Sequence, residues 1–110
     1  MGTHHSELLR DTLDLLILKL LAQRPLHGWA VQSQLRLVSQ SALQVGPGSL
    51  YPALHRLEHR GWISAEWQLT ERKRRAKVYR LTPAGRRQLE RETKGWRRLV
   101  HAVDLILERS

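Results

Sequence analysis

The hydrophobic period of this chain changes twice, and no other feature constrains its fold as much. Up to about residue 60 the apolar side chains recur at helical spacing. After Gly61 the spacing becomes two, and after Thr82 it is helical again to about Arg109. Three helices are expected before the first change. One covers residues 6–23, with Glu7, Asp11 and Asp14 toward the end where the helix dipole favours acids. Its leucines and Ile17 surround nearly the whole circumference, so it has to be buried on several sides. "RPLHG" breaks that pattern at Pro25 and Gly28. A second helix, residues 28–39, sets Val31, Leu35 and Val38 on one face. "SQSALQVGPG" reads as a loop with room for a very short strand at residues 43–45. The third helix covers residues 49–60 and ends at Gly61. Pro52 fits it as a first-turn residue, where a missing N–H leaves nothing unpaired.

In "WISAEW" one strand face carries Ile63, Ala65 and Trp67. In "KVYRL" one face carries Tyr79 and Leu81, with Val78 and Arg80 opposite. "QLTERKRRA" joins them as a polar, basic hairpin loop. Thr82 suits an N-cap and Pro83 the first position of the last helix. Helices, a hairpin, then a long helix give a mostly α chain with a small β-hairpin. That is the order of a winged helix-turn-helix followed by a long C-terminal helix. The expected division is a loose N-terminal extension over residues 1–10, a winged helix-turn-helix over 11–82, and a dimerisation helix over 83–110. In such a domain the third helix is presented to the major groove of double-stranded DNA.

Charge points the same way. The net charge is +9, and residues 46–110 hold fifteen basic against seven acidic side chains, whereas residues 1–45 hold four against three. A basic field confined to one part of a small domain fits a polyanion, either nucleic acid or an acidic membrane surface; charge serving solubility alone has no need to cluster. "LDLLILKLLA" is too short to span a bilayer and is interrupted by Lys19. Nothing frames a signal peptide, so a cytoplasmic, nucleoid-associated protein is expected, with no membrane partner. The absence of cysteine removes disulfides, thiol nucleophiles and cysteine-based zinc sites. No nucleophile–base pair is visible, and "GPG" is a turn rather than a phosphate loop, so neither an enzyme nor a cofactor is expected.

With Leu50, Leu54 and Leu57 turned inward, Pro52, His55, Arg56 and His59 fall on the far side of the third helix. Ser49 and Tyr51 stand at its leading edge. The first-turn N–H groups and the two hydroxyls suit phosphate, while Arg56, His55 and His59 suit base edges. Arg72, Lys73, Arg74, Arg75 and Lys77 form a run without acid, placed where a wing tip would reach the backbone or minor groove. The plainer alternatives are a solvated helix with a solvated loop, or a winged-helix module that meets an acidic protein. His55 and His59 have the H-x-x-x-H spacing that can share a metal. Only Glu58 stands near them, so no metal site is expected. Trp29, Trp62 and Trp67 are expected in core or hinge packing.

On the last helix, Leu89, Thr93, Trp96, Val100, Val103 and Leu107 alternate steps of four and three, a coiled-coil-like stripe. The helix would reach about 40 Å at ~1.5 Å per residue, longer than so small a domain can cover. A homodimer is therefore expected, with Leu13 and Ile17 of the first helix joining the seam. Packing within one chain is the alternative.

At "LHGW", "GPGSLYPALHRLEHRGWI" and "RRAKVYRLTPAGRRQL" the chain resembles the PadR family of bacterial transcriptional regulators, over most of residues 8–90. The resemblance implies a dimeric winged-helix repressor of promoters carrying inverted repeats. It implies DNA contacts for Ser49, Tyr51, the helix face that follows and the wing cations. Trp29 stands where members commonly have Tyr, and Asp11 where Gly is frequent. The single C-terminal helix is like the family's short branch, whose members can bind planar aromatic or cationic small molecules at the dimer interface. That implies a ligand role for Trp96, with Gly95 beside it; plain packing in the seam is the alternative. Such a pocket would act on DNA by changing the separation of the two recognition helices.

Overall fold

Seven elements follow one another in the computed structural model, which describes residues 2–109 and their side chains from residue 12 onward. They are α1 (Gly2–Gln23), β1 (Leu26–His27), α2 (Gly28–Val38), α3 (Pro47–His59), β2 (Ile63–Leu69), β3 (Arg75–Leu81) and α4 (Pro83–Leu107). This is the expected mostly α winged helix-turn-helix with a long last helix. The opening expected to be loose is helical instead, because α1 begins at Gly2.

The core gathers Leu13, Ile17, Leu18 and Leu21 of α1 with Val31 and Leu35 of α2. Leu50, Ala53, Leu54 and Leu57 of α3 close over them, and Ile63, Tyr79 and Leu89 complete it. Burial of each such leucine stabilises the fold by about 1.5–3 kcal/mol. Leu15 and Leu16 are only half-buried and Lys19 is exposed, so α1 is not enclosed on every side by its own chain. Val38 departs from the expected inward face and is exposed. It occupies the last turn of α2, where the chain is already reversing. Gln40 and Ser41 lie in the left-handed region at φ 54° and 66°. Their N–H groups donate to the Leu37 carbonyl at 3.1 Å and the Arg36 carbonyl at 2.7 Å, which satisfies the helix end.

Residues 43–45 form no strand; the Gln32 amide instead donates to the Val45 carbonyl at 2.9 Å and ties that loop to α2. The third strand is β1. The sheet is antiparallel in the order β1-β3-β2, with Leu26 paired to Tyr79 and His27 to Val78. Two residues between Pro25 and Gly28 are too few to show a period.

The turn out of α3 needs glycine. Gly61 has φ +77°, and its N–H donates to the Glu58 carbonyl at 3.0 Å while that of Trp62 donates to the Leu57 carbonyl at 3.1 Å. This pair of bonds closes the helix and directs the chain into β2. Thr82 fastens α4 to the same corner. Its N–H donates to the Trp62 carbonyl at 3.1 Å, and its hydroxyl donates to the Gly61 carbonyl at 2.7 Å and accepts from the Gly85 N–H at 3.0 Å. A Cβ at Gly85 would run into the Trp62 carbonyl oxygen and come within 2.7 Å of Leu81 Cδ1, so only glycine allows that approach. Pro52 sits in the second turn of α3, not the first, because the helix already begins at Pro47. The carbonyl left without its helical donor belongs to Gly48, an exposed residue that water can reach.

Candidate nucleic-acid interface

α3 divides as its sequence pattern requires. Leu50, Ala53, Leu54 and Leu57 are buried, and Ser49, Tyr51, Pro52, His55 and His59 are exposed. Tyr51 is seated over the start of α2: a Cβ on Gly28 would lie 2.8 Å from Tyr51 Cε1 and 3.2 Å from its hydroxyl. Glycine at position 28 thus lets the α2 backbone slide beneath the ring, which fixes Tyr51 at the edge of the exposed face. The first turn offers fewer free donors than expected. Pro47 has no N–H, and the Ser49 N–H donates to the Gly46 carbonyl at 3.1 Å.

Arg56 differs from its expected place among the outward residues. Its Nη2 donates to Asp14 Oδ1 of α1 at 2.8 Å, and both side chains are partly covered. α3 packs along α1, so position 56 falls at their border, and a carboxylate there captures the guanidinium. The outward face is narrower than a projection of α3 alone implies, because a helical projection knows nothing of the neighbouring helix.

The wing is also shorter at its tip. β2 and β3 pair as far as Leu69 with Arg75, leaving residues 70–74 as the turn. The Thr70 N–H donates to the Arg74 carbonyl at 2.8 Å, the Lys73 N–H to the Thr70 carbonyl at 2.9 Å, and the Arg74 N–H to Thr70 Oγ1 at 3.2 Å. Lys73 sits at φ 59°, the position glycine usually fills in such a hairpin turn. Arg72, Lys73 and Arg74 therefore form the tip, while Arg75 and Lys77 belong to β3. The Arg75 guanidinium lies 5.0 Å from the centre of the Trp67 ring, and Lys77 Nζ lies 5.6 Å from it. Lys77 Nζ is also 3.7 Å from Glu58 Oε1 of α3.

Two tryptophans assigned to packing are exposed instead, Trp29 by 61% and Trp67 by 55%. Trp29 stacks on His27 with ring centres 5.6 Å apart, and the two line a concave surface with wing residues from Gln68 to Ala76, which include Arg72, Arg74 and Arg75 and the acid Glu71. Trp62 is half-buried under Arg60, whose guanidinium lies 5.1 Å from its ring. Among the described residues no group of three or more His, Asp or Glu side chains could hold a metal ion, and His55 with His59 remains a pair.

Leu13 and Ile17 cannot reach a second subunit as expected. They are closed inside their own chain, where α1 meets α3 and α4. The α1 surface beside α4 is instead Leu15, Leu16 and Lys19, which line a groove with Leu89, Thr93 and Trp96. Leu89 is buried against α1, whereas Trp96, Val100, Val103 and Leu107 are exposed. So are Leu99 and Ile106, which the stripe omitted; each lies three residues beyond Trp96 or Val103, a spacing that identifies the same face. Burial raises the Glu92 carboxyl above its ordinary range, and Asp14 adds to the effect. A hydrogen bond with Gln88 and the charges of Arg60 and Arg91 oppose it. Glu92 Oε2 is buried without a hydrogen-bond partner. Among the described residues no helix is long and apolar enough to cross a membrane.

The chain matches the description "Transcriptional regulator PadR-like family" over residues 17–91. It is 37% identical over 98 residues to a transcriptional regulator of Mycobacterium tuberculosis, covering 88% of this chain and 87% of that protein. It is 45% identical over 89 residues to an uncharacterized protein in a transposon of Streptomyces fradiae. That match covers 81% of this chain but 24% of the relative, so this chain spans about a quarter of its length. A solved PadR family transcriptional regulator from Eggerthella lenta superposes with a TM-score of 0.81 at 31% identity, over 99% of this chain and 93% of that one. A transcriptional regulator from Clostridium thermocellum shares the fold, with a TM-score of 0.85 at 24% identity, over 93% of this chain and 99% of that one.

Proposed function

This chain belongs to the PadR-like family of transcriptional regulators, not to a family of enzymes, and from that premise we propose that it is a homodimeric, sequence-specific repressor of promoters carrying inverted repeats. The observation that carries the reading is the adjacency of two surfaces. The exposed face of α3 stands beside a hairpin whose tip holds Arg72, Lys73 and Arg74 with a single acid, Glu71, and none of the three cations is in an ion pair among the described residues. In this account Ser49 and Tyr51 contact phosphate, Pro52, His55 and His59 face the base edges, and the wing cations bind the flanking backbone. Arg56 joins the base contacts only by leaving Asp14.

The dimer is supported by the exposed apolar residues of α4, which run from Trp96 to Leu107. A two-fold pair of chains would set two recognition helices against two half-sites, as an inverted repeat requires. A planar aromatic ligand held at Trp96 would lie against the helix that joins the two subunits, and so could release DNA by shifting their separation. Action on promoters places the protein in the cytoplasm, with the nucleoid.

Fluorescence anisotropy tests the reading, comparing the DNA upstream of the protein's own gene with random duplex across a salt series. The account predicts at least a ~100-fold preference for the upstream fragment at moderate salt. Equal, steeply salt-sensitive binding to both would reduce the charge to a general polyanion attraction. An acidic protein partner would then explain the wing better.

A further inference from the structure

Two cations of β3 converge on one exposed ring. Lys77 lies directly opposite Trp67 in the ladder, and Arg75 lies opposite Leu69, two pairs nearer the tip and so on the same face of the hairpin. Their charged groups stand 5.6 Å and 5.0 Å from the Trp67 ring centre. Such neighbours on one face of a hairpin are within reach of each other's side chains. That face looks toward the recognition helix, because Lys77 also meets Glu58 of α3 at 3.7 Å. The two cations differ in what else they touch. Lys77 is half-buried and neutralised by Glu58, whereas Arg75 is exposed and has no carboxylate at ion-pair distance among the described residues.

We propose that Trp67 is a positioning residue for DNA binding: its ring holds Arg75, still charged, on the side of the wing that faces α3, while Lys77 anchors the hairpin to Glu58. The assignment rests on the DNA-binding reading above. A free arginine on a strand loses rotamer freedom when it settles on a phosphate, and a side chain already held loses less. A guanidinium stacked on an indole keeps its edge N–H groups available to two phosphate oxygens. Arg72, Lys73 and Arg74 at the turn have no ring contact among the described residues, so Arg75 is the wing cation that is both held by a ring and left without an acid partner.

The test measures affinity for random duplex across a salt series for Trp67→Leu, Trp67→Phe, Arg75→Ala and the double change Trp67→Leu with Arg75→Ala. Trp67→Leu should bind about three- to five-fold more weakly, the size of a lost exposed cation–π contact. Its salt slope should fall by up to about 0.9, one phosphate's share. Trp67→Phe, which keeps a ring, should stay within about two-fold of wild type. The double change should be no weaker than Arg75→Ala alone, since the ring acts through that arginine. Thermal melts of all variants should match wild type, because the ring is exposed. Unchanged binding by Trp67→Leu, equal losses for Leu and Phe, or multiplying losses in the double change would each overturn the assignment. Wild type is measured first; its failure to bind any duplex would defeat the DNA-binding reading itself, a separate result.

Discussion

The two halves of α4 contrast within one continuous helix. The half nearer Thr82 is held by its own chain. It is capped by the Thr82 hydroxyl, pressed through Gly85 against the Trp62 carbonyl, and buried at Leu89. The half from Trp96 onward shows seven large apolar side chains to solvent: Trp96, Leu99, Val100, Val103, Leu105, Ile106 and Leu107. The chain is 60 Å along its longest axis but 31 and 23 Å across, so this half reaches past the body instead of folding back on it. A helix with an apolar face and nothing of its own to cover it implies a partner, and in the homodimer proposed above a second copy would supply the same stripe. One half builds the domain, and on the proposed reading the other assembles it.

The largest expected effect strikes the first half. Gly85→Ala places a methyl group in the Trp62 carbonyl, where backbone rather than a flexible side chain must yield. It should cost about 3 kcal/mol or more. A thermal melt reads this directly, and a wild-type transition would show that α4 does not lie so close. Leu89→Ala should cost about 2–4 kcal/mol at every protein concentration, since the cavity lies within one chain. Val103→Glu should separate the halves most cleanly. It should leave the body folded and weaken self-association by about 2–3 kcal/mol, through a charge placed in the seam. Stability that depends on concentration in wild type and not in this variant would support the contrast. Equal behaviour of the two would erase it.

The smallest effect concerns Glu92, in the half held by its own chain. Its carboxyl is raised, so its contribution to stability is fully present below the ordinary carboxylate range and is lost as pH rises through the raised folded value. Burial, and to a lesser degree Asp14, disfavour the ionised form, and Oε2 has no hydrogen-bond partner. Glu92→Gln should therefore stabilise the chain by about 0.5–1 kcal/mol at pH 7, and the gain should shrink toward pH 4. Melts at the two pH values decide it; a gain independent of pH would mean that ionisation is not the cause.

Much of this was legible in the sequence where the period runs long enough. The inward face of α3, the strand faces around Ile63 and Tyr79, the cap at Thr82 and the turn at Gly61 all follow from spacing and turn chemistry. What the sequence hid depends on neighbours distant in the chain. β1 has two residues, Leu26 and His27, and exists only because β3 offers an edge. Arg56 meets Asp14 across 42 positions, and no projection of either helix alone would pair them. Leu13 and Ile17 were legible as buried but not as to whom. An apolar residue looks the same whether its own chain or a second copy covers it.

Sedimentation equilibrium on wild type and Val103→Glu, over a wide range of concentrations, tests the central claim most directly. The account predicts that wild type approaches twice the chain mass of 12.8 kDa, while Val103→Glu stays near 12.8 kDa with its body folded. Wild type remaining at the mass of a single chain throughout that range would contradict it, leaving the exposed half of α4 to a partner other than this chain.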